Sequence, residues 1–320
     1  MKQYFSGYKK KFFQGWYFKQ SDNNSDSIAF IPGYAVSAGG LRTAFIQILT
    51  GEGSYYNEYP IEEFKAKRDK LEVRIGNSVF SEEGVKLDIK GALRVKGELA
   101  FSPFNPPVKG FLCPNIMGPF DFLPFLECKH YIYSLHHGVN GVLTAGAKEY
   151  IFNGGRGYCE GDRGGSFPKG YIWLQSNLFG GPDSCVSISI AEVPYTGMNI
   201  CGVAAVFKFM GREYRFATYN GVKIALLEDK GDRINIVLTR GGDSLEASLE
   251  LPLGYDLKAP KEGQMQNIIK EAVAASLDLK VTIDKKVIFQ ENNIICSAES
   301  AGKVRCKTSE PVRTAAKAME

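Results

Sequence analysis

The stretch VKLDIKGALRVKGELAF (Val85–Phe101) decides the fold class. Up to Lys90, apolar residues alternate with charged ones, and after the break at Gly91 the apolar residues again share one parity. A period of two residues is typical of β-strands that bury one face and leave the other in water. The stretch therefore predicts two strands of a half-buried sheet.

Similar alternation recurs along the chain and predicts an all-β protein. Further alternating segments are 71–75, 186–190, 234–251 and 281–289. Asn140-Gly141, between two apolar runs, predicts a tight hairpin turn. Gln264–Leu277 instead has apolar residues at helical spacing, which predicts one amphipathic helix covering an end or flank of a barrel. The predicted fold is a set of antiparallel β-barrels with one or two short helices.

A faint internal repeat divides the chain into two halves. Gly15–Gln20 (GWYFKQ) and Gly170–Gln175 (GYIWLQ) each place an aromatic-rich strand after a glycine and end in Gln. Barrels of the lipocalin type often begin with a Gly-x-Trp element whose Trp plugs the closed end. With a boundary near Tyr158–Pro168, the repeat predicts tandem lipocalin-like barrels, residues 1–160 and 161–320. A barrel of about eight strands can enclose one apolar ligand, so a hydrophobic small molecule is the expected partner.

The segment Ser102–Cys128 is irregular and yet very apolar. Its prolines exclude a long helix or a central strand. Its many phenylalanines and leucines, Leu112 and Phe125 among them, must be buried against something. The alternatives are a lid over a barrel mouth and packing between the two halves.

Composition limits the partners and the compartment. The net charge is only +4 with acidic and basic residues interleaved, whereas nucleic-acid binders concentrate basic charge on one face, so no nucleic acid is expected. The seven cysteines are an odd number without a C-x-x-C pair, which predicts reduced, buried thiols and a cytoplasmic protein. The start lacks a signal-peptide core, and no apolar run is long enough to span a bilayer.

One short basic cluster has two interpretations. Lys9, Lys10 and Lys11 precede Phe12 and Phe13. Cations beside aromatic rings can rest on an anionic membrane surface, which would make the protein peripheral to a membrane. The alternative is a solvated lead-in to the first strand.

The three histidines lie close together in sequence but do not predict a metal site. In a strand, His130 and His136 share a face yet stand about 20 Å apart, at ~3.3 Å per residue, and His137 points the other way. They are interpreted as structural or pocket-lining residues. The glycine-rich stretches match neither the dinucleotide fingerprint nor a P-loop. We therefore expect no metal and no cofactor.

The segment Gly154–Asn177 is the richest in chemistry. It gathers charged side chains on a glycine-loosened chain between the halves and then adds two aromatic ones: Arg156, Glu160, Asp162, Arg163, Tyr171 and Trp173. Such charges beside a cavity can bind a polar ligand head or donate a proton. The alternative is a salt-bridged interdomain linker, because ion-pair networks also gather charge.

Three motifs together resemble the tocopherol cyclase family and its bacterial relatives. They are FFQGWYFK (Phe12–Lys19), GPFDFLPFLEC (Gly118–Cys128) and GGRGYCEGDRGGSFPKGYIWLQSN (Gly154–Asn177), and the similarity keeps the same order over most of the chain. That family is similar in turn to lipocalin-like carotenoid hydratases, whose fold is a tandem pair of β-barrels. The resemblance thus implies the two-barrel arrangement as well.

The resemblance also implies a chemistry. A cyclase of this type protonates an isoprenoid double bond, and a phenolic oxygen traps the cation, without a redox cofactor or a metal. The family motif E-K-(N/D)-W-G corresponds to residues 160–164, where Glu160 and Asp162 are retained but Gly161 and Arg163 replace Lys and Trp. An Arg close to a carboxylate lowers its pKa by about 1–3 units, which opposes general-acid catalysis. A related isoprenoid reaction or plain binding therefore fits as well as tocopherol cyclisation.

Three hypotheses follow. In the first, an acid-type cyclase or hydratase acts on an isoprenoid or quinone-like molecule; the acids are Glu160 and Asp162, and the remaining pocket candidates are Trp16, Tyr158, Tyr171, Trp173, His130 and His136. Trp16 has the alternative role of a structural plug. In the second, the protein is a non-catalytic lipid carrier or sensor, and Arg156 and Arg163 hold an acidic head group. In the third, the loop Ser102–Cys128 docks a protein partner.

Overall fold

The computed structural model describes residues 4–308, except 112, 125, 182, 183 and 196. Within them it forms two antiparallel sheets, three short 3₁₀ turns (Ile61–Glu63, Gly118–Phe122 and Thr218–Asn220) and no α-helix. The first sheet consists of β1 Phe12–Ser21, β2 Ser27–Val36, β3 Arg42–Thr50, β4 Gly53–Pro60, β5 Phe64–Ala66, β6 Glu72–Ile75, β7 Ser78–Ser81, β8 Gly84–Ile89, β9 Val95–Phe101, β10 Cys128–Ala145 and β11 Lys148–Gly164. The second consists of β12 Gly170–Ser176, β13 Cys185–Tyr195, β14 Met198–Phe209, β15 Arg212–Ala217, β16 Lys223–Asp229, β17 Arg233–Arg240, β18 Asp243–Glu250, β19 Tyr255–Lys261, β20 Gln264–Ile283 and β21 Lys286–Ala301.

The two sheets share one pattern of connectivity. The strand orders are β4-β3-β2-β1-β11-β10-β9-β8-β7-β6-β5 and β15-β14-β13-β12-β21-β20-β18-β17-β16, with β19 paired to β20. In each sheet the first strand pairs with the last, and the two end strands follow each other in sequence across a 3₁₀ turn. We call the sheets the first and second barrel. The all-β, lipocalin-like fold prediction is confirmed, and the division into domains 1–160 and 161–320 stays a prediction.

Each barrel is filled by its own apolar side chains, and a third cluster lies between the barrels. The first barrel encloses, among others, Trp16, Phe18, Phe30 and Phe80. The second encloses, among others, Ile188, Phe207, Ile236 and Leu277. The layer between them includes Tyr17, Leu49, Tyr158, Trp173 and Val206. Because β1, β2 and β12 face a packed layer on each side, they are buried along nearly their whole length.

The helix expected at Gln264–Leu277 is wrong. The segment belongs to β20, whose pairing with β21 shifts register between Ala272 and Ala275. Side chains on both faces of this strand are buried, Ala272 against the second-barrel core and Val273 in the layer between the barrels. Two buried faces and a bulge produce apolar spacing that imitates a helical period.

The hairpin turn expected at Asn140-Gly141 is also wrong. Both residues lie inside β10, at a register shift that follows Val139. Gly141 has a φ of +133°, and a Cβ on it would lie 2.2 Å from the Glu98 carbonyl oxygen. The glycine therefore marks a close strand approach within the sheet, and β10 continues to Ala145.

Of the two roles left open for the apolar loop Ser102–Cys128, the structure shows packing between the two barrels. It reaches the second barrel, where Glu213 accepts a hydrogen bond from the Val108 amide at 2.7 Å. Ile116 packs in the layer between the barrels. Met117 and Phe120 line the cavity described below. Leu112 and Phe125 lie outside the described residues.

The expectation that all cysteines are reduced is wrong. Cys201 and Cys306 form a disulfide across 105 residues of sequence. The other five cysteines are not part of a disulfide, and three of them, Cys159, Cys185 and Cys296, are buried. A pairing over such a separation has no local sequence signature, because the sheet alone brings the two residues together.

Candidate functional site

An apolar cavity of about 190 Å³ lies between the two barrels. Its walls include Tyr17, Phe45 and Asp162 from the first barrel, and Trp173, Ile190 and Glu299 from the second. The sequence predicted a cavity inside one barrel, whereas residues of both sheets line this one. The predicted apolar cavity is present, but two sheets form it instead of one.

A larger cavity, of about 420 Å³, is bordered by residues of the first-barrel core. Its walls include Tyr4, Glu82, Phe104 and Tyr133. None of the site residues predicted from the sequence lines it. We therefore build the candidate site around the cavity between the barrels.

Strand alternation directs the acidic residues of β11 into this cavity. Residues two apart on a strand share a face, so Tyr158, Glu160 and Asp162 point the same way. Glu160 and Asp162 both line the cavity. Cys159, of opposite parity, packs into the first-barrel core.

His130, on the neighbouring strand β10, lies between the two carboxyl groups. β10 and β11 pair so that His130 is opposite Asp162. The imidazole Nδ1 lies 3.1 Å from Asp162 Oδ1, and Nε2 lies 3.5 Å from Glu160 Oε2. The three side chains form a continuous acid–imidazole–acid row along one wall.

Two aromatic residues complete the surroundings of Glu160. The Tyr158 hydroxyl donates a hydrogen bond to Glu160 Oε2, and Trp173 Nε1 donates another at 3.1 Å. The Tyr17 ring stands edge-on to Trp173, with 5.6 Å between ring centroids. The carboxyl group is thus fixed by strands of both barrels and surrounded by aromatic rings.

The electrostatics divide this row into an acid and a base. Burial raises the pKa of Glu160 to about 7, against the opposing effect of the nearby imidazole. Burial alone would lower the pKa of His130, but the carboxyl groups of Glu160 and Asp162 outweigh it and raise the pKa to about 9. At neutral pH the imidazole is therefore charged, while Glu160 exchanges its proton easily.

His130, Glu160 and Asp162 also offer atoms within 4.8 Å of one another, close enough to suggest a metal site. However, each imidazole nitrogen faces a different carboxyl group. An ion bound there would have to replace these contacts, in which the three side chains already pair with one another.

Three predicted pocket residues lie away from the cavity. Trp16 is fully buried in the first-barrel core and stacks on Phe64, so its interpretation as a pocket residue is wrong and its role is the structural plug. Arg156 donates hydrogen bonds to the Asn177 and Phe179 carbonyl oxygens, both at 2.8 Å. His136 forms an isolated bridge with Asn105. None of the three lines the cavity, and Tyr158, which does not line it either, is connected to it by its hydrogen bond to Glu160.

Arg163 lies on the opposite face of β11 from Asp162. Its guanidinium lies 4.5 Å from the centre of the Tyr131 ring and donates a 2.8 Å hydrogen bond to Ser6. The expectation that Arg163 lowers the pKa of Glu160 is therefore wrong, because strand alternation directs the Arg163 and Glu160 side chains to opposite faces of β11. Neither Arg156 nor Arg163 lines the cavity, so neither can bind the head group of a ligand there.

The structure adds residues that sequence analysis missed. Tyr17, Glu271 and Glu299 lie in the same layer, next to the predicted Tyr171, whose hydroxyl donates a 2.7 Å hydrogen bond to Glu299. Tyr17 belongs to the motif Phe12–Lys19. It follows Trp16 on β1, so its side chain points to the opposite face of the sheet, away from the first-barrel core. Glu271 falls in the segment interpreted as a helix. On a strand, Glu271 and Val273 share a face because they are two residues apart. A strand prediction for this segment would therefore have placed the Glu271 carboxyl group in the layer between the barrels.

The basic cluster near the start does not offer aromatic rings to a membrane. Phe13 is buried against Phe167, and Phe12 packs on the first-barrel core. Lys11 pairs with Glu262 at 3.3 Å. In the described part of the chain, no helix has the length and apolarity needed to cross a bilayer.

Comparison with known proteins identifies the fold. No family model matches the sequence. The solved structure of CghA aligns with a TM-score of 0.57 at 9% identity, covering 91% of this chain and 88% of CghA. CghA with Sch210972 aligns at 0.56 and 10% identity, with the same coverage of 91% and 88%. A protein assigned as AttH (NE1406) from Nitrosomonas europaea aligns at 0.51 and 11% identity, covering 91% of this chain and 93% of that protein.

At such identities the likeness concerns the fold alone. The alignments extend over most of both chains, so the arrangement of two lipocalin-like barrels is shared as a whole. The chain is therefore a lipocalin-like barrel protein, with a polar cluster in the wall of an apolar cavity.

Proposed function

We propose that the protein binds an isoprenoid-like hydrophobic molecule between its barrels and catalyses an acid-initiated cyclisation or hydration of it. One observation carries this proposal. Glu160 is a nearly fully buried carboxyl group that faces an apolar cavity and is held by Tyr158 and Trp173. A carboxylic acid kept neutral in an apolar pocket is the group that acid catalysis at neutral pH requires.

The reaction needs no oxidant. The proton of Glu160 adds to a carbon–carbon double bond, which forms a C–H bond and leaves a tertiary cation. The rings of Tyr17 and Trp173, which line the cavity, stabilise that cation by their electron-rich faces. A hydroxyl oxygen, of the ligand in cyclisation or of water in hydration, closes the C–O bond and then gives its proton to a carboxylate of the cavity wall. The His130 cation pairs with Asp162 and balances the charge left on Glu160.

The finer reaction is assigned by resemblance. The motifs at Phe12–Lys19, Gly118–Cys128 and Gly154–Asn177 all contribute residues to the cavity wall, among them Tyr17, Phe120 and Trp173. This supports a tocopherol cyclase-like reaction. The structure of CghA with Sch210972 is consistent with the fold accommodating an organic small molecule.

The first experiment identifies binding. Native mass spectrometry of the purified protein is expected to show a co-purifying lipid or quinone. A hydroquinone with a prenyl chain then serves as the reaction probe, and wild type is compared with Glu160→Gln and Asp162→Asn. Glu98→Gln is the matched control, because Glu98 is an exposed residue of β9 that pairs with Lys86 at 3.6 Å.

We expect Glu160→Gln to lower kcat by about 10²- to 10⁴-fold while the probe still binds. Asp162→Asn should reduce kcat less, because it affects the acid through His130. Equal product formation by all variants would show that these acids are not the proton donors. If wild type binds the prenylated hydroquinone and returns it unchanged, the protein is a carrier of the same fold.

A further inference from the structure

A second pair of carboxyl groups stands in the wall formed by the second barrel. Glu299, on β21, lines the same cavity as Glu160. Its neighbours across the sheet are Trp173 on β12 and Glu271 on β20. Trp173 donates its indole N–H to Glu160. The two acids of the cavity are therefore separated by one indole ring and belong to different barrels.

Tyrosines hold this second pair. The Tyr171 hydroxyl donates a 2.7 Å hydrogen bond to Glu299 Oε2, and the Tyr17 hydroxyl donates one to Glu271 Oε1. Glu271 is fully buried, and its carboxyl group forms a hydrogen bond with that of Glu299. Two carboxyl groups can pair in this way when one of them is neutral and donates its proton. Glu271 therefore fixes the carboxyl group of Glu299 in the wall of the cavity.

The two carboxyl groups do not titrate together. Burial and then repulsion by Glu299 raise the pKa of Glu271 well above its usual range. Burial also raises the pKa of Glu299 to about 7, while its interactions with Tyr171 and Glu271 work in the other direction. At neutral pH Glu271 is thus neutral, and Glu299 is the member of the pair that can take up or release a proton.

We propose that Glu299 is the catalytic base of the reaction and that Glu271 is its positioning residue. This inference rests on the proposed function and narrows its substrate to a molecule with both a double bond and a hydroxyl group. Glu160 donates its proton to the double bond, and the ligand hydroxyl oxygen forms the C–O bond to the cation. The O–H bond then breaks, and its proton passes to the Glu299 carboxylate. Exchange with solvent returns both acids to their starting forms, so the net reaction is an isomerisation.

The test uses the prenylated hydroquinone with the full-length protein over a range of pH. The variants are Glu299→Gln and Glu271→Leu, and Glu291→Gln is the control on the same strand outside the cavity. Wild type should show a narrow bell-shaped profile near neutral pH, since Glu299 must be ionised and Glu160 protonated. Among the described residues, the titratable groups that interact with Glu299 include Glu271 on β20, Tyr171 on β12, Glu160 and Asp162 on β11, and His130 on β10.

We expect Glu299→Gln to lower kcat about 10²- to 10⁴-fold with little change in KM and to abolish the acidic limb of the profile. Glu271→Leu should move that limb to higher pH, because the interaction that lowers the pKa of Glu299 is lost. Glu291→Gln should behave as wild type. A purely structural role for Glu271 would not move the limb.

Two failures are distinguishable. If wild type does not convert the probe at any pH, the proposed function fails and takes this inference with it. If Glu160→Gln is inactive but Glu299→Gln keeps full kcat and both limbs, only the assignment of Glu299 as the base is overturned. A Glu299→Gln protein that is inactive but also fails to bind the probe would overturn it too, because a base is needed after binding.

Discussion

The core of the second barrel and the layer between the barrels are both buried, yet their chemistry is opposite. The barrel core is built from apolar side chains such as Phe207 and Ile236. The layer contains four carboxyl groups, His130 and the buried Lys19. Buried ionisable groups cost several kcal/mol each unless paired, so they are retained where chemistry needs them. Stability and function are thus assigned to different layers of one fold.

The largest expected effect tests this division with matched truncations. Ile236→Ala removes a side chain that is 1% exposed in the second-barrel core and should cost about 2–5 kcal/mol of unfolding free energy. Ile269→Ala removes a half-buried side chain that lines the cavity and should cost less than about 2 kcal/mol, because part of its surroundings is already open. Urea denaturation measures both. Equal losses would mean that the layer between the barrels is packed like a core.

An effect of intermediate size is the pH dependence of stability that two buried bases, His137 and Lys19, should cause. Burial lowers the pKa of His137, beside the first-barrel core, to about 3, and that of Lys19, between the barrels, to about 8. In each case the unfolded chain binds the proton more readily, so stability rises with pH between the folded and unfolded values. The slope is at most about 1.4 kcal/mol per pH unit, from about 3 to 6.5 for His137 and from about 8 to 10.5 for Lys19.

The variants His137→Gln and Lys19→Met provide the measurement. Each should flatten the stability curve only in its own window, as followed by denaturant unfolding at a series of pH values. The Lys19→Met protein should also gain stability near neutral pH, because the cost of the buried ammonium is removed. A stability curve that is unchanged in either variant would show that the fold does not lower the pKa of the corresponding base.

The smallest effect concerns the two faces of β11. Arg163→Gln should cost about 0.5–1 kcal/mol, because the contact of the guanidinium with the Tyr131 ring is lost. The basic limb of the activity profile, which reports Glu160, should not move, since Arg163 faces away from the cavity. Arg163→Lys, which keeps the charge, is the control. A limb that shifts upward only in Arg163→Gln would mean that the guanidinium acts on the acid after all.

Part of the candidate site could be predicted from local sequence and part could not. One segment of the sequence contains Tyr158, Glu160, Asp162 and Trp173. Strand parity and the short connection between β11 and β12 bring these side chains together. Glu299 lies more than 100 residues further along, and only the pairing of β12 with β21 places it beside Trp173. Burial on both faces removed the alternation that would have identified β20 as a strand.

The sequence by itself determined the all-β class, the repeated strand that opens each half and the acidic segment between them. These are properties of neighbouring residues, and a period of two or a glycine-aromatic motif records them directly. Only the tertiary structure decided that the cavity lies between the barrels, that Arg163 faces away from it and that Cys201 meets Cys306. A strand that is buried on both faces meets its own barrel core on one face and the other barrel on the opposite face. The docking of the two barrels decides which face is which, and the order of residues along one strand does not determine it.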